Sequence, residues 1–151
     1  MHVNAATPAP PRGCTCARLR KLTRRITAVY DQELAPTGLR ITQYSMLMAL
    51  QHLGGDTGLP VSELADHMDM DRTTLTRNLK PLIDQGFARL AADAADGRVR
   101  RALITPQGGA ALAAARPHWL RAQKDINRTL GEPNVAALHD WLDQVTPAFR
   151  P

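Results

Sequence analysis

Aromatic residues are scarce in this 151-residue sequence, in which Phe, Trp and Tyr together make up 4% of the chain. Hydrophobic residues nevertheless make up 44%, so a core must consist mainly of Leu, Ala, Ile, Val and Met. At this length, such a composition favours a folded chain and favours helices over a β-sandwich. We therefore predict one compact, mostly α-helical unit.

Cysteines and long apolar runs are also lacking. Cys14 and Cys16 are the only cysteines, and they are too few and too close together to cross-link a secreted fold. The sequence has no run of about 18 apolar residues, and its N-terminus lacks the basic and then apolar layout of a secretory signal. We therefore expect no membrane partner and a cytoplasmic location.

Acidic residues are missing from one stretch and concentrated in another. The net charge is +5. Residues 12–25 contain six basic residues and no acidic one, and residues 71–101 contain seven basic and four acidic residues. Residues 26–70, in contrast, contain one basic and six acidic residues. This segregation is typical of a protein that binds a polyanion, because each Lys or Arg placed on a phosphate releases condensed counterions. A solvated basic surface is the alternative that charge alone leaves open.

The N-terminal third of the chain predicts a tail and two helices. Residues 1–13 contain too few large apolar side chains to offset the entropy of ordering, so we expect a disordered tail. Apolar residues then recur at spacings of three and four from about Thr15 until Pro36, which predicts a first amphipathic helix. Thr42 is placed to cap a second helix, apolar on several sides, which Gly54 ends.

The middle of the chain predicts a helix-turn-helix followed by a β-hairpin. Pro60 is suited to open a short third helix, and Asp71 to cap a fourth helix that ends at Gly86. The two helices lie only a few residues apart, as in a helix-turn-helix. Residues 87–90 and 99–104 flank a turn formed by Asp96 and Gly97, which predicts a hairpin.

The fourth helix has one apolar and one polar face. Leu75, Leu79 and Leu82 have the spacing of a buried face. The opposite face carries side chains that can bond base edges or phosphates, and these candidates are Arg72, Thr73, Thr74, Thr76, Arg77, Asn78 and Lys80. A polar helix beside a hairpin is the layout of a winged helix that binds DNA. The sequence therefore predicts a winged-helix DNA-binding domain over residues 37–105.

The terminal helices require a partner that the winged helix does not supply. Thr105 is placed to cap a long fifth helix that Pro106 opens, and a sixth helix follows. Because a winged helix closes its own core between residues 40 and 105, we interpret residues 14–36 and 106–148 as dimerisation helices. A twofold homodimer would place two recognition helices about 34 Å apart, which is one turn of double-stranded DNA.

Two strings in the sequence resemble the MarR family of winged-helix transcription regulators, and the resemblance spans roughly residues 15–148. The strings are SELADHMDMDRTTLTRNLKPLIDQGFARL and DGRVRRALITPQG. The resemblance implies a homodimeric repressor of a pseudo-palindromic operator, released by a small ligand or by thiol oxidation. It also implies that the fourth helix enters the major groove and that Arg98 reaches the minor groove, with Asp96 orienting the arginine and Arg100 on the hairpin.

The resemblance further implies a crevice for small aromatic or anionic ligands between the dimerisation helices and the winged helix. The candidate lining residues are Tyr30, Tyr44, Met46, Met48 and Trp119. Ordinary core packing is the alternative for each of them, and it is the preferred one.

Cys14 and Cys16 are the candidates for a redox sensor. A thiol at a helix N-terminus beside Arg12, Arg18 and Arg20 should ionise readily, and thiolate is the form that oxidants attack. The pair also resembles a MarR subgroup that opens its first helix with Cys-x-Cys. Partly buried packing cysteines are the preferred alternative, because no third Cys or His motif accompanies them.

Other function classes find little support in the sequence. His52, His67, His118 and His139 are scattered without ligand spacing, so we expect neither a metal nor a cofactor. No Ser-His-Asp, HExxH, Gly-rich phosphate loop or paired-carboxylate pattern is visible, which disfavours a small helical enzyme. A winged helix that contacts proteins remains as the second alternative, but it leaves the polar face of the fourth helix unexplained.

Overall fold

The structure, a computed structural model, describes residues 13–149, so the predicted tail over residues 1–13 lies outside the described part except for Gly13. The order of elements within that part is α1 (Thr15–Leu34), α2 (Ile41–Leu53), β1 (Leu59–Pro60), α3 (Val61–His67), α4 (Arg72–Asp84), β2 (Ala88–Ala92), β3 (Arg100–Ile104), α5 (Pro106–Leu130) and α6 (Glu132–Val145). Short 3-10 turns follow α1, α2 and α6, at Ala35–Thr37, Gly55–Thr57 and Thr146–Phe149. The predicted fold class, mostly α-helical with a small β-hairpin wing, is confirmed.

The three strands form one antiparallel sheet in the order β1-β3-β2. The predicted hairpin is the β2-β3 pair, in which Leu90 lies opposite Ala102. Strand β1, where Leu59 lies opposite the same Ala102, was not predicted because two residues show no alternation. Pro60 ends β1 and directly precedes α3, which begins at Val61 as predicted.

Helix α2 is the centre of the core and packs against α1, α3, α4, α5 and β3. Both Met46 and Leu47 are 0% exposed. The predicted cap by Thr42 is wrong, because the helix begins at Ile41 and Thr42 already lies in its first turn. The Ile41 N–H donates to Asp31 Oδ1 of α1 at 2.8 Å, and the Arg40 N–H donates to Gln43 Oε1 at 2.9 Å. The Asp31 carboxylate of α1 therefore accepts from the first turn of α2, in place of the Thr42 hydroxyl that we predicted.

Side-chain caps set the start of both helices that flank the hairpin. The Thr74 N–H donates to Asp71 Oδ1 at 2.9 Å at the start of α4. The Gly108 N–H donates to Thr105 Oγ1 at 3.0 Å at the start of α5. The Thr105 hydroxyl in turn donates to the Gly86 carbonyl oxygen at 2.6 Å, which joins the end of α4 to the start of α5. The caps predicted at Asp71 and Thr105 are thus confirmed.

The terminal helices are joined to each other but leave apolar surface uncovered. Helix α1 packs along α5, and α6 packs on the end of α5. Leu19 and Leu22 of α1 are 46% and 42% exposed, and Trp141 and Leu142 of α6 are 50% and 37% exposed. Within residues 13–149, none of the helices combines the length and the apolarity that a membrane span requires.

Candidate nucleic-acid interface

Three exposed side chains on the polar face of α4 make no hydrogen bond or ion pair within the described part of the chain, namely Arg72, Thr73 and Arg77. Their donors are therefore free for an external acceptor. The face is fixed from the other side, because Leu75, Leu79 and Leu82 of the same helix are buried in the core at 0%, 2% and 0% exposure. An arginine guanidinium held on a rigid helix is suited to paired acceptors on a guanine edge or to a phosphate.

The remaining polar candidates on α4 make hydrogen bonds within the helix. The Thr74 hydroxyl donates to Asp71 Oδ2 at 2.6 Å, and the Thr76 hydroxyl donates to the Arg72 carbonyl oxygen at 2.7 Å. The Asn78 amide donates to the Thr74 carbonyl oxygen at 2.9 Å. Each hydroxyl keeps lone pairs and Asn78 keeps its amide oxygen, so these residues can still accept hydrogen bonds.

Lys80 and Asp71 show the electrostatics of the same helix. Lys80 Nζ lies 2.6 Å from Asp84 Oδ2, and both side chains are exposed, so water and salt weaken this ion pair. The pKa of Asp71 lies below its ordinary value, because the Thr74 hydroxyl and the Thr74 N–H both donate to its carboxylate. The cap is therefore charged at neutral pH, where it also complements the positive end of the helix.

The tip of the hairpin is ordered by two aspartates. Asp93 Oδ1 accepts from the Ala95 and Asp96 N–H groups at 2.8 and 3.0 Å. Asp96 Oδ1 accepts from the Arg98 N–H at 3.0 Å. The structure thus places Asp96 against the backbone of Arg98, the arginine that the resemblance implies it orients. Arg98 itself is exposed, so its guanidinium is available at the tip.

Neighbouring arginines on β3 have different surroundings. Arg100 is exposed and has no side-chain partner among the described residues. Arg101 Nη1 donates to Asp93 Oδ2 at 2.7 Å, while its Nε and Nη2 donate to the Thr57 and Gly58 carbonyl oxygens, both at 3.0 Å. The sequence alone does not separate the two arginines, because two of the three acceptors of Arg101 lie more than forty residues away in the chain.

A crevice of about 290 Å³ lies between α2, α3 and α5. Of the predicted lining residues, it contains Tyr44, Met48 and Trp119. It also contains His52 and His67, two of the histidines that show no ligand spacing in the sequence. Tyr44, Met48 and His52 are spaced four residues apart on α2, a signal that would have revealed His52. Burial raises the pKa of the Tyr44 phenol, and the positive charge of Arg116 opposes that shift.

The structure places the other two predicted crevice residues elsewhere. Met46 is 0% exposed in the core, because it faces inward on the central helix. The Tyr30 hydroxyl donates to Gln123 Oε1, which places this ring between α1 and α5. The preferred alternative, ordinary packing, therefore describes both residues.

Both cysteines are free and exposed at the start of α1, where Cys14 precedes the first turn and Cys16 lies in it. The preferred alternative, partly buried packing, is therefore wrong for the single chain. Arg12, which we placed beside them, lies outside the described residues. Within residues 13–149, no group of three or more His, Cys, Asp or Glu side chains is arranged to hold a metal ion.

Comparisons with known proteins agree with this geometry. A sequence model of the MarR family matches residues 37–99. The chain is 35% identical to the transcriptional regulator MosR of M. tuberculosis, solved in complex with DNA, over 92% of this chain and 100% of that chain, with a TM-score of 0.78. No curated protein sequence matches the chain significantly.

Two further solved structures share the fold. CouR of Rhodococcus jostii RHA1, solved with p-coumaroyl-CoA, is 21% identical over 89% of this chain and 91% of that chain, with a TM-score of 0.72. BpsR of Bordetella bronchiseptica, studied for regulation of its DNA binding by 6-hydroxynicotinic acid, is 18% identical over 93% and 98%, with a TM-score of 0.79. The fold and the cationic helix define a winged-helix protein with added terminal helices. The chain belongs to the MarR family of transcriptional regulators.

Proposed function

We propose that this protein is a homodimeric repressor that binds a pseudo-palindromic operator in double-stranded DNA. The observation that carries the proposal is the exposed, unpartnered set of Arg72, Thr73 and Arg77 on α4, fixed by a buried face on the same helix. The 35% identity to MosR, which was solved with DNA, supports it. A repressor of this kind acts on the chromosome, which places it in the cytoplasm.

In the proposed complex, α4 enters the major groove. Arg77 and Thr73 contact base edges from its exposed face, and Thr74 and Asn78 contribute as acceptors. Lys80 and Arg100 lie on phosphates. Arg98 at the tip of the hairpin reaches into the minor groove, where a narrow groove concentrates negative potential.

The terminal helices support the homodimer in two independent ways. Their exposed leucines and Trp141 form apolar surface on α1 and α6 that a second copy would cover. Their charges are opposite, because residues 15–25 contain five basic residues and no acidic one, whereas residues 129–149 contain three acidic residues and no Lys or Arg. Helix α1 of one copy and α6 of another are therefore electrostatically complementary.

Two signals are proposed to release the DNA. The crevice lined by Tyr44 and Trp119 would take a small aromatic or anionic ligand. CouR, which shares the fold, was solved bound to p-coumaroyl-CoA. Such a ligand acts only by binding more tightly to a dimer geometry that DNA does not favour. The exposed thiols of Cys14 and Cys16, which resemble the Cys-x-Cys subgroup, would be the second signal through oxidation.

A mobility-shift titration at several salt concentrations tests the DNA-binding proposal. We expect wild-type protein to bind duplex DNA at low salt and to lose affinity as salt rises. Arg77→Ala should weaken binding to a selected duplex by about tenfold or more, because it removes a base or phosphate contact. Lys80→Ala is the matched control on the same helix and should have a smaller effect, because Asp84 already offsets its charge. Absence of binding to any duplex at low salt would overturn the proposal.

A further inference from the structure

Arg101 connects the hairpin to a distant turn. Its guanidinium bonds the Asp93 carboxylate of the hairpin on one side and the Thr57 and Gly58 carbonyl oxygens on the other. Thr57 ends the 3-10 turn that follows α2, and Gly58 comes directly after it. We call this arrangement the Arg101 clamp. The guanidinium reaches these three acceptors from three nitrogens held in one plane, whereas the donors of a lysine ammonium all leave from a single atom, so lysine is not an equivalent replacement.

The Arg101 clamp is partly buried, which distinguishes it from an ion pair on the open surface. The Arg101 and Asp93 side chains are 24% and 20% exposed, unlike the freely exposed pair of Lys80 and Asp84. Partial burial strengthens the ion pair because less water competes for it. The pKa of Asp93 lies below its ordinary value, because the Ala95 and Asp96 N–H groups and the Arg101 guanidinium donate to it.

Gly58 brings the turn into reach of the arginine. Its φ is +80°, and a Cβ at this position would lie 2.6 Å from Leu103 Cγ and 2.7 Å from the Ala102 carbonyl oxygen. The turn can therefore lie flat against β3 only with glycine at this position. This close approach holds the two carbonyl groups beside the Arg101 side chain.

The Arg101 clamp continues to the tip of the hairpin through hydrogen bonds. The second oxygen of Asp93 holds the Ala95 and Asp96 N–H groups, and the Asp96 carboxylate holds the Arg98 N–H. An unbroken series of contacts therefore runs from the turn after α2 to the backbone of Arg98.

We propose that Arg101 is a positioning residue for DNA binding, which fixes the hairpin against the turn after α2 so that Arg98 meets the minor groove in one orientation. The proposal rests on the proposed function. Arg101 contacts no DNA in this account, because each of its three guanidinium nitrogens already bonds an acceptor within the chain. A direct phosphate contact and a purely structural role are the two competing explanations.

A double-mutant cycle between Arg98→Ala and Arg101→Ala tests the proposal, with affinity measured for a duplex selected from random DNA by the wild-type protein. We expect each single variant to lose about tenfold in affinity and the double variant to lose little more than Arg98→Ala alone. Arg100→Ala is the matched control on the adjacent residue, and its loss should multiply with that of Arg98→Ala. Arg101→Lys should keep the charge and still show most of the loss.

The outcomes separate the explanations. Losses for Arg98→Ala and Arg101→Ala that multiply, or an Arg101→Ala affinity equal to wild type, would overturn the positioning role. So would an unchanged affinity of Arg98→Ala. If Arg101→Ala fails to fold, as judged by circular dichroism, the same cycle with Asp93→Asn in its place tests the positioning role. This variant weakens the bond to Arg101 but keeps an acceptor for the tip N–H groups. A wild-type protein that binds no duplex would refute the proposed function itself.

Discussion

The phenol ring of Tyr44 on α2 stacks on the indole ring of Trp119 on α5, with ring centroids 5.8 Å apart and planes inclined by 13°. One ring belongs to the central helix of the winged helix and the other to a terminal helix. The two rings also line the crevice. A ligand that binds there would therefore act where the DNA-binding part joins the proposed dimerisation part.

Tryptophan fluorescence should report binding in this crevice. We expect benzoate or cinnamate to change the emission of the Trp141→Phe variant, in which Trp119 is the remaining tryptophan. The Trp119→Phe variant is the control, because Trp141 is exposed on α6 away from the crevice lining. The same response in both variants would show that the two acids do not bind at the stacked rings.

Acid should weaken the cap of α4. The folded-state pKa of Asp71 is depressed by its bonds to Thr74, so its contribution to stability is full above the ordinary pKa and is lost as pH falls through the lowered one. Asp71→Ser keeps a capping oxygen that does not titrate. Urea unfolding should thus show wild type losing its advantage over Asp71→Ser between about pH 5 and about pH 2. An advantage that is constant over this range would contradict the assigned cause.

A charge on the exposed face of α1 should break the proposed dimer. Leu22→Asp would bury a carboxylate in the interface, and we expect dimerisation to weaken by about 100-fold or more in sedimentation experiments. Leu53→Asp is the control, because Leu53 is at least as exposed as Leu22, at 51% against 42%, and lies on α2 outside the terminal helices. High salt should also loosen the wild-type dimer, since the charges of α1 and α6 are opposite. A wild-type monomer at micromolar concentration would refute the homodimer.

Peroxide should lower the DNA affinity of the wild-type protein if the exposed thiols sense oxidants. The double variant with Cys14→Ser and Cys16→Ser should keep its affinity under the same treatment, and each single variant identifies the thiol that reacts first. A mobility-shift assay before and after oxidation, with reductant added back, measures the effect. An equal loss in the double variant would discard the thiol signal.

Local signals in the sequence were sufficient for most of the fold, and tertiary partners account for what it missed. The caps at Asp71 and Thr105 were predicted because each carboxylate or hydroxyl bonds an N–H three residues later. The start of α2 was misplaced because its cap, Asp31, comes from another helix. Strand β1 was not predicted, because a segment of two residues is too short to show an alternation of apolar and polar side chains.

In the candidate site, too, local spacing predicted some residues and tertiary contacts determine the others. The exposed face of α4 follows from helical spacing, so Arg72, Thr73 and Arg77 were identified from the sequence alone. The different surroundings of Arg100 and Arg101 were not, because two of the three acceptors of Arg101 belong to a turn more than forty residues earlier. Met46 and Tyr44 look alike as apolar residues of α2, and only the packed structure separates core from crevice.

Selection of duplexes from random DNA by the wild-type protein tests the central claim most directly. A twofold dimer with α4 in the major groove should enrich a pseudo-palindrome whose half-site centres lie about 10 base pairs, or a multiple of one turn, apart. Enrichment should fall sharply for Arg77→Ala. The absence of any enriched sequence, or a single half-site without a repeat, would contradict the twofold winged-helix account.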